Sequence, residues 1–504
     1  MTKRLRETAG TPASRSGLSR QMGLLGLAAT GICSMLGAAI NVIPFMIQRN
    51  VPGIGPYVLP AYLFAALPAI LAALAYAILA SAMPRAGGSY VYASRALNPY
   101  LGFVASFSQW FGLSIAIGVV SYVLIPFLRD IAAALGWQML AEALNTGGIR
   151  LTLALAFLWT FVVVNLRGVQ LYERTLVPLM FLMFALGAIV IVAGFTFDQQ
   201  NFAAALQERE GRVIAGDGTA TFNFSAFLAA AALLFSSFIG FDSIAQAGGE
   251  ARNAGRSLPL AIGIAVVTVG TFYMLFTAAV YHAVPWSYIA EEAMKRDLTA
   301  PGLLGYLLPA GWTVAIVAGA AVALTNDLPA MLLAVSRLMF AWAEDGIFPR
   351  RVASVHPKWR TPHVAIVLSG LMATVGILGS HLAGDFFLGV DILVTSMLVN
   401  FLLMCVSVLA LPRRNPQIAR DVRVLPSRRV QIPLASFGAI VLGGFLAIHI
   451  WKDFNATVSA WYFHSTLVWL IVMAVASAIY FRELNSLRRS GVDVDGIFAK
   501  LPPD

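Results

Sequence analysis

LLGLAATGICSMLGAAINVIPFMI, from Leu24 to Ile47, and FLAAAALLFSSFIGFDSIAQAGGE, from Phe227 to Glu250, are the two stretches that decide the fold. Each is long and apolar enough to cross a bilayer core, which needs about 20 consecutive apolar residues. Each is also interrupted near its middle, the first by Gly31, Ser34, Gly37, Asn41 and Pro44, the second by Ser236, Ser237, Gly240 and Asp242. Glycine frees the backbone to leave helical geometry, and irregular backbone at membrane depth is tolerated only inside protein or beside a water-filled cavity. Both spans are therefore expected to be broken helices that face an interior.

Uncharged stretches of this kind recur along the whole chain. Its 504 residues are 59% hydrophobic and 12% charged, with a mean hydropathy of +0.79, whereas soluble domains carry about 25% charged residues. Spans are expected at about 23–47, 57–81, 100–127, 149–166, 175–196 and 224–249, then 258–283, 310–342, 362–380, 386–411, 431–450 and 465–481. The fold class is all-α integral membrane, with about 12 transmembrane helices. Of the 34 Lys and Arg residues, 26 fall in the two tails and the loops on one side and eight on the other, and none lies mid-span. The positive-inside rule then places both termini in the cytoplasm, with 1–22 and 482–504 as tails and an expected location in the plasma (inner) membrane.

The net charge of +10 has this topological origin, and no basic face interleaved with aromatics suggests a nucleic-acid partner. Cys33 and Cys405 both fall in apolar spans, which disfavours a disulfide framework or a metal site. No GxxxxGK[ST], HExxH or catalytic triad is present, so ATP-driven pumping and hydrolysis have no basis and no catalytic residue is expected. What remains is a secondary transporter, with a channel or a membrane-embedded solute sensor as weaker readings.

Breaks in corresponding spans of two halves point to a midplane binding site. Free N–H groups at a half-helix start attract a carboxylate, and free C=O groups at a half-helix end attract a cation, a pairing suited to a zwitterion such as an amino acid. The plain alternative is close helix packing through small residues. Asp242 favours a site, because a mid-membrane carboxylate costs about 2.5–3.5 kcal/mol and calls for a partner, a proton or a cation. Asn326 and Asp327, followed by Pro329, form a second polar cluster that suits either a cation site or the capping of a proline kink. Gln109 beside Trp110 is a candidate for the lining of a substrate path.

Three segments carry a resemblance: MPRAGGSYVYASRALNPYLGF (Met83–Phe103), SSFIGFDSIAQAGGEARNAGRSLPLAI (Ser236–Ile262) and SRLMFAWAEDGIFPRRVASVHPKWRTP (Ser336–Pro362). Together they resemble the amino acid-polyamine-organocation transporter superfamily, amino acid permease type, over nearly the whole chain. The resemblance implies alternating access by a five-plus-five inverted repeat, 23–196 and 224–411, with helices 1 and 6 discontinuous and two peripheral helices in 431–481. It implies substrate contacts at Ser34, Gly37, Ala38, Ala39, Gln109, Leu113, Ser236, Phe238, Ile239, Gly240 and Asp242, with Met331 where some members place an aromatic gate. Departures from the family pattern at Ala38, Ala39 and Asn41 are expected to set substrate preference. The lysine that some proton-coupled members carry in the fifth span is replaced near Met183.

The expected substrate is thus an amino acid or a related organic amine, with a polyamine or organic-cation carrier as the alternative. Expected partners are that small molecule and the lipid bilayer. No cofactor or metal is expected beyond a coupling ion, H+ or Na+, for which Asp242, Asn326 and Asp327 are the candidates. Nothing in the sequence sets an oligomeric state.

Overall fold

The structure, a computed structural model, describes residue 18 and residues 20–214, 220–383, 386–457 and 460–502. The apolar runs form helices because in lipid a helix satisfies every backbone group within its own segment. The first span is two helices, α1 (Leu24–Met35) and α2 (Ala38–Asn50), and it is followed by α3 (Val58–Ala82), a short α4 (Gly88–Ala96) and α5 (Pro99–Ala134). Then come α6 (Gln138–Asn145), α7 (Gly147–Leu166), α8 (Val169–Thr196) and α9 (Gln199–Glu210). The sixth span comprises α10 (Phe224–Leu234), a 3-10 turn over Phe235–Phe238, and α11 (Asp242–Gln246).

The second half continues with α12 (Ala254–Ala283), α13 (Trp286–Ala293), α14 (Ala300–Leu304), α15 (Ala310–Glu344), α16 (His363–Ala383) and α17 (Phe386–Arg414). It closes with α18 (Pro416–Ala419), α19 (Arg428–Asn455), α20 (Ser465–Arg489) and α21 (Val494–Phe498). Eleven segments among the described residues are long and apolar enough to cross a membrane, the α1–α2 pair counting as one, and the shorter apolar run Phe224–Phe238 adds the broken sixth span. The chain is an all-α, multi-pass membrane protein with about twelve spans, as its hydropathy predicts.

The sixth span over 224–249 is helical only in pieces, as expected of a broken span, because the backbone turns at Ile239–Phe241 around Gly240. In contrast, α5 runs 36 residues, about 54 Å at helical rise, well beyond the expected 100–127. Its N-terminus is set by Asn98, whose side chain accepts from Leu101 N at 2.8 Å, with Pro99 at the first helical position. This long helix packs on α15, α16 and α17 and forms the wall to which the broken spans are applied.

Both ends of the described chain meet at one end of the bundle. Met22 N donates to Glu250 O at 2.9 Å, and Arg85 Nε donates to Pro502 O at 3.0 Å. At this terminal end two bidentate ion pairs are buried. Arg337 Nη2 and Nε lie 2.5 and 3.1 Å from the Glu250 oxygens, and Arg95 Nη1 and Nη2 lie 2.5 and 3.0 Å from those of Asp345. The opposite end carries α6, α9, α13 and α14. There Asp198 and Asn201 form a reciprocal capping box for α9.

Candidate functional site

The two breaks touch each other. Gly240 has φ +137°, and a Cβ there would collide with the Ser34 carbonyl oxygen of α1, so only glycine lets the sixth span cross the first this closely. Ser34 Oγ and Ser243 Oγ are 3.0 Å apart, and Tyr273 Oη of α12 donates to Met35 O at 2.7 Å, which secures the open end of α1. Helix α2 restarts at Ala38 with no side-chain cap, so its first N–H groups have no side-chain acceptor. A Cβ at Gly37 would strike the Asp327 carboxylate of α15. An anion-attracting helix start and a carboxylate therefore stand side by side.

A cavity of about 60 Å³ opens at this crossing. Of the residues singled out from sequence, Ser34, Gly37, Leu113, Ser236, Ile239, Met331 and Asp327 line it. Asp327 is 5% exposed, and its Oδ1 is buried without a hydrogen-bond partner among the described residues. Sequence reasoning missed Ala116, Val119 and Val120 of α5, together with Gly389, Val390 and Leu393 of α17. The one available signal was Gly389, where a Cβ would press into the Val119 side chain, so that α17 approaches α5 closely.

The other expected site residues lie elsewhere. Asp242 is fully buried on the terminal side of the cavity, where its Oδ1 accepts from Gly240 N at 3.0 Å and its Oδ2 accepts from Gln109 Nε2. Gln109 Oε1 in turn accepts from Ser89 Oγ at 2.5 Å, Gln246 Nε2 at 3.1 Å and Asn400 Nδ2 at 3.3 Å, and Asn400 also donates to Tyr76 Oη at 2.7 Å. This network joins α3, α4, α5, α11 and α17 beneath the cavity. Phe238 points away from the cavity, in ring contact with Tyr62 and Tyr273 at centroid distances of 5.4 and 5.9 Å.

Asn326 serves neither the cavity nor the Pro329 kink. Its Nδ2 donates to Leu176 O at 3.2 Å and contacts Cys33 Sγ at 2.9 Å, tying α15 to α8 and α1. The side chains of Ala38 and Ala39 lie outside the described residues. Asn41 faces a separate cavity of about 20 Å³ shared with Met183, so the side chain expected to set preference does not line the central one.

Above the cavity, at the end opposite the termini, is a vestibule of about 810 Å³. Val119 belongs to the walls of both, so the vestibule reaches within one side chain of the cavity. Among the described residues the vestibule lies on one side of the cavity, and the Asp242 network and the two buried ion pairs lie on the other.

A family model described as amino acid permease matches residues 22–482, which is most of the chain. The chain belongs to the amino acid permease family. It is accordingly a membrane transporter rather than an enzyme. The permease is 25% identical to the branched-chain amino acid permease BcaP of Bacillus subtilis, over 97% of this chain and 98% of that one. It is 25% identical to the low-affinity putrescine importer PlaP of Escherichia coli K12, over 68% of this chain and 69% of the importer. It is 28% identical to the mouse cationic amino acid transporter 4, over 72% of this chain and 55% of that protein. All three compare at a level that supports shared architecture and leaves the side chains of the site free to differ.

Proposed function

We propose that this permease is a secondary active transporter that carries an amino acid or related organic amine by alternating access, with substrate held at the crossing of the two broken spans. The observation that carries this reading is the Asp327 carboxylate, bare at Oδ1 in a cavity walled by the uncapped start of α2. The carboxylate of a zwitterion would lie on the α2 N–H groups and its ammonium against Asp327. Gly240, Phe238, Asp242 and Gln109 then act beneath and beside the substrate, shaping the helix crossing and the closed inner path.

In this reading the terminal end, rich in Lys and Arg, faces the cytoplasm, and the permease sits in the plasma (inner) membrane. The two halves 23–196 and 224–411 act as repeats that rock about the site. The vestibule is the outward path, and because the cavity is too small for an amino acid in this conformer, binding must widen it. A ligand does so only by its differential affinity for the states.

Uptake of radiolabelled amino acids into proteoliposomes is the test. Saturable uptake that falls at least about tenfold in Asp327→Asn is the expected outcome, since the variant removes the only charge in the cavity wall. Uptake unchanged in Asp327→Asn would remove the role given to that carboxylate. Dissipating the proton and sodium gradients separately identifies H+ or Na+ as the coupling ion, and exchange without one leaves both without effect. Similarity to a putrescine importer favours a second reading, a polyamine or organic-cation carrier, in which Asp327 takes one ammonium of a diamine. Competition by putrescine against a neutral amino acid separates the two.

A further inference from the structure

The vestibule opposite the termini is lined by Arg49, Arg129, Arg150 and Arg296 and by only two acids, Asp130 and Asp297. Half of the eight Lys and Arg residues on that side of the chain thus face one cleft. Three of the four guanidiniums pair with carboxylates, one of them Glu292 beside the cleft, which leaves one guanidinium, that of Arg150, in excess. Such a cleft focuses the field, concentrating anions and depleting cations at its mouth.

The four arginines are not equivalent. Arg49 pairs with Asp297 at 3.0 Å, Arg129 with Asp130 at 2.7 Å and Arg296 with Glu292 at 2.9 Å. Arg150 has no carboxylate partner among the described residues. Its guanidinium lies over the Tyr122 ring, with Cζ 3.8 Å from the centroid, and its Nε donates to Tyr122 O at 3.3 Å. Tyr122 is itself held by a hydrogen bond of 2.9 Å between its hydroxyl and His381 Nδ1. The ring and the carbonyl therefore fix the Arg150 fork while leaving its two Nη groups without a hydrogen-bond partner among the described residues. A planar fork presented in this way matches a carboxylate in two parallel hydrogen bonds.

The position fits a place on the path. Tyr122 is one helical turn from Val119, the residue common to vestibule and cavity, and about 9 Å along α5 from Ala116 in the cavity wall. One small zwitterion cannot span from Arg150 to Asp327, so the two charges serve successive stations.

We propose that Arg150 is a carboxylate-receiving station in the outer vestibule, and that the substrates of this permease are carboxylate-bearing amino acids, neutral or acidic, and not di- or polyamines. This deepens the amino acid reading of the central site and rests on it. A diamine meets an excess of guanidinium charge before it can reach Asp327. An amino acid meets Arg150 with its carboxylate and then passes Val119 with its ammonium free for Asp327.

The test uses the full chain in proteoliposomes, with initial uptake of each of the twenty common amino acids and of putrescine, at low and high ionic strength. Expected is uptake of at least one neutral or acidic amino acid and none of putrescine, with a KM that rises with salt. Arg150→Gln should raise that KM about tenfold, with a much smaller change in maximal rate, and should flatten its salt dependence. Arg150→Lys should recover part of the loss. Arg209→Gln, which removes a charge outside the vestibule, should leave KM in place. Saturable putrescine uptake comparable to that of an amino acid overturns the proposal, as does a wild-type KM in folded Arg150→Gln. If that variant does not fold, a salt-independent KM in the wild type overturns it. Uptake lost in Asp327→Asn and unmoved in Arg150→Gln overturns the station alone, whereas no uptake of any amino acid overturns the central-site reading and the station together.

Discussion

Asp242 and Asp327 are both carboxylates inside apolar spans, and their neighbours set them apart. Asp242 accepts from Gly240 N and Gln109 Nε2, so its charge is held within the helix crossing. Asp327 keeps Oδ1 bare beside the cavity. Asp242→Asn should therefore act on stability, lowering the thermal midpoint of detergent-solubilised protein through the loss of a charge-assisted hydrogen bond worth about 1.5–3 kcal/mol. Asp327→Asn should act on uptake with little change in that midpoint. A reversed pattern would exchange the roles of the two acids. Gly240→Ala carries both an unfavourable φ and a collision with the Ser34 carbonyl, with strain of about 1–3 kcal/mol, and should abolish uptake even where folded protein is recovered.

At the scale of elements, the terminal end is tied together where α4, the segment after α11, and α15 meet. The Arg337–Glu250 and Arg95–Asp345 pairs are almost entirely buried, with side-chain exposures of 1% and 0% in the first and 0% and 4% in the second. Removing one partner of such a pair leaves the other charge uncompensated and costs roughly 3–5 kcal/mol. Glu250→Gln should thus lower the thermal midpoint and shift the protein toward a state open at the terminal end. The shift is measured by labelling of cysteines introduced in α4 with an impermeant thiol reagent. Labelling equal to that of the parent protein would show that the pair does not hold this end closed. The network around Gln109 gives the same end its packing order, because four helices share its amide and α3 joins through Asn400.

For the whole molecule, the chain's last described segment packs over the terminal end of the bundle. The Phe498 ring lies 5.0 Å from Arg95 Cζ, Arg95 Nε donates to Lys500 O at 3.1 Å, and Asn415 Nδ2 donates to Ala499 O at 3.1 Å. Deleting residues 490–504 removes these partners from an arginine that also belongs to a buried ion pair. The expected outcome is a thermal midpoint lower by a few degrees and faster labelling at the terminal end, and a truncated protein indistinguishable from the full chain would leave the tail without a role in closure. The charge distribution works at the same scale, with most basic residues at the terminal end and half of the remainder gathered in one cleft.

Hydropathy and charge spacing determine that the chain spans the membrane about twelve times, since apolar length and the absence of mid-span Lys and Arg are local properties. The sequence likewise marks Gly37 and Gly240 as breaks, because glycine and polar residues inside an apolar run conflict with a continuous helix wherever the run is placed. What each polar residue does was decided by tertiary structure. Asp242 reads as the working carboxylate beside its glycine, yet Gln109, 133 residues earlier, takes up its Oδ2 and draws it into a buried network. Asp327 reads equally as an ion site or as a kink residue beside Pro329, and the crossing of α1 and α10–α11 leaves it facing a cavity. Of the contribution of α17 to the cavity wall only Gly389 gives a local sign, and the unpartnered Nη groups of Arg150 give none, because hydrogen-bond partners and cavity walls come from segments distant in the chain. A sequence states how much polar surface is placed in the bilayer, and only packing determines which of it is paired and which is left to meet a substrate.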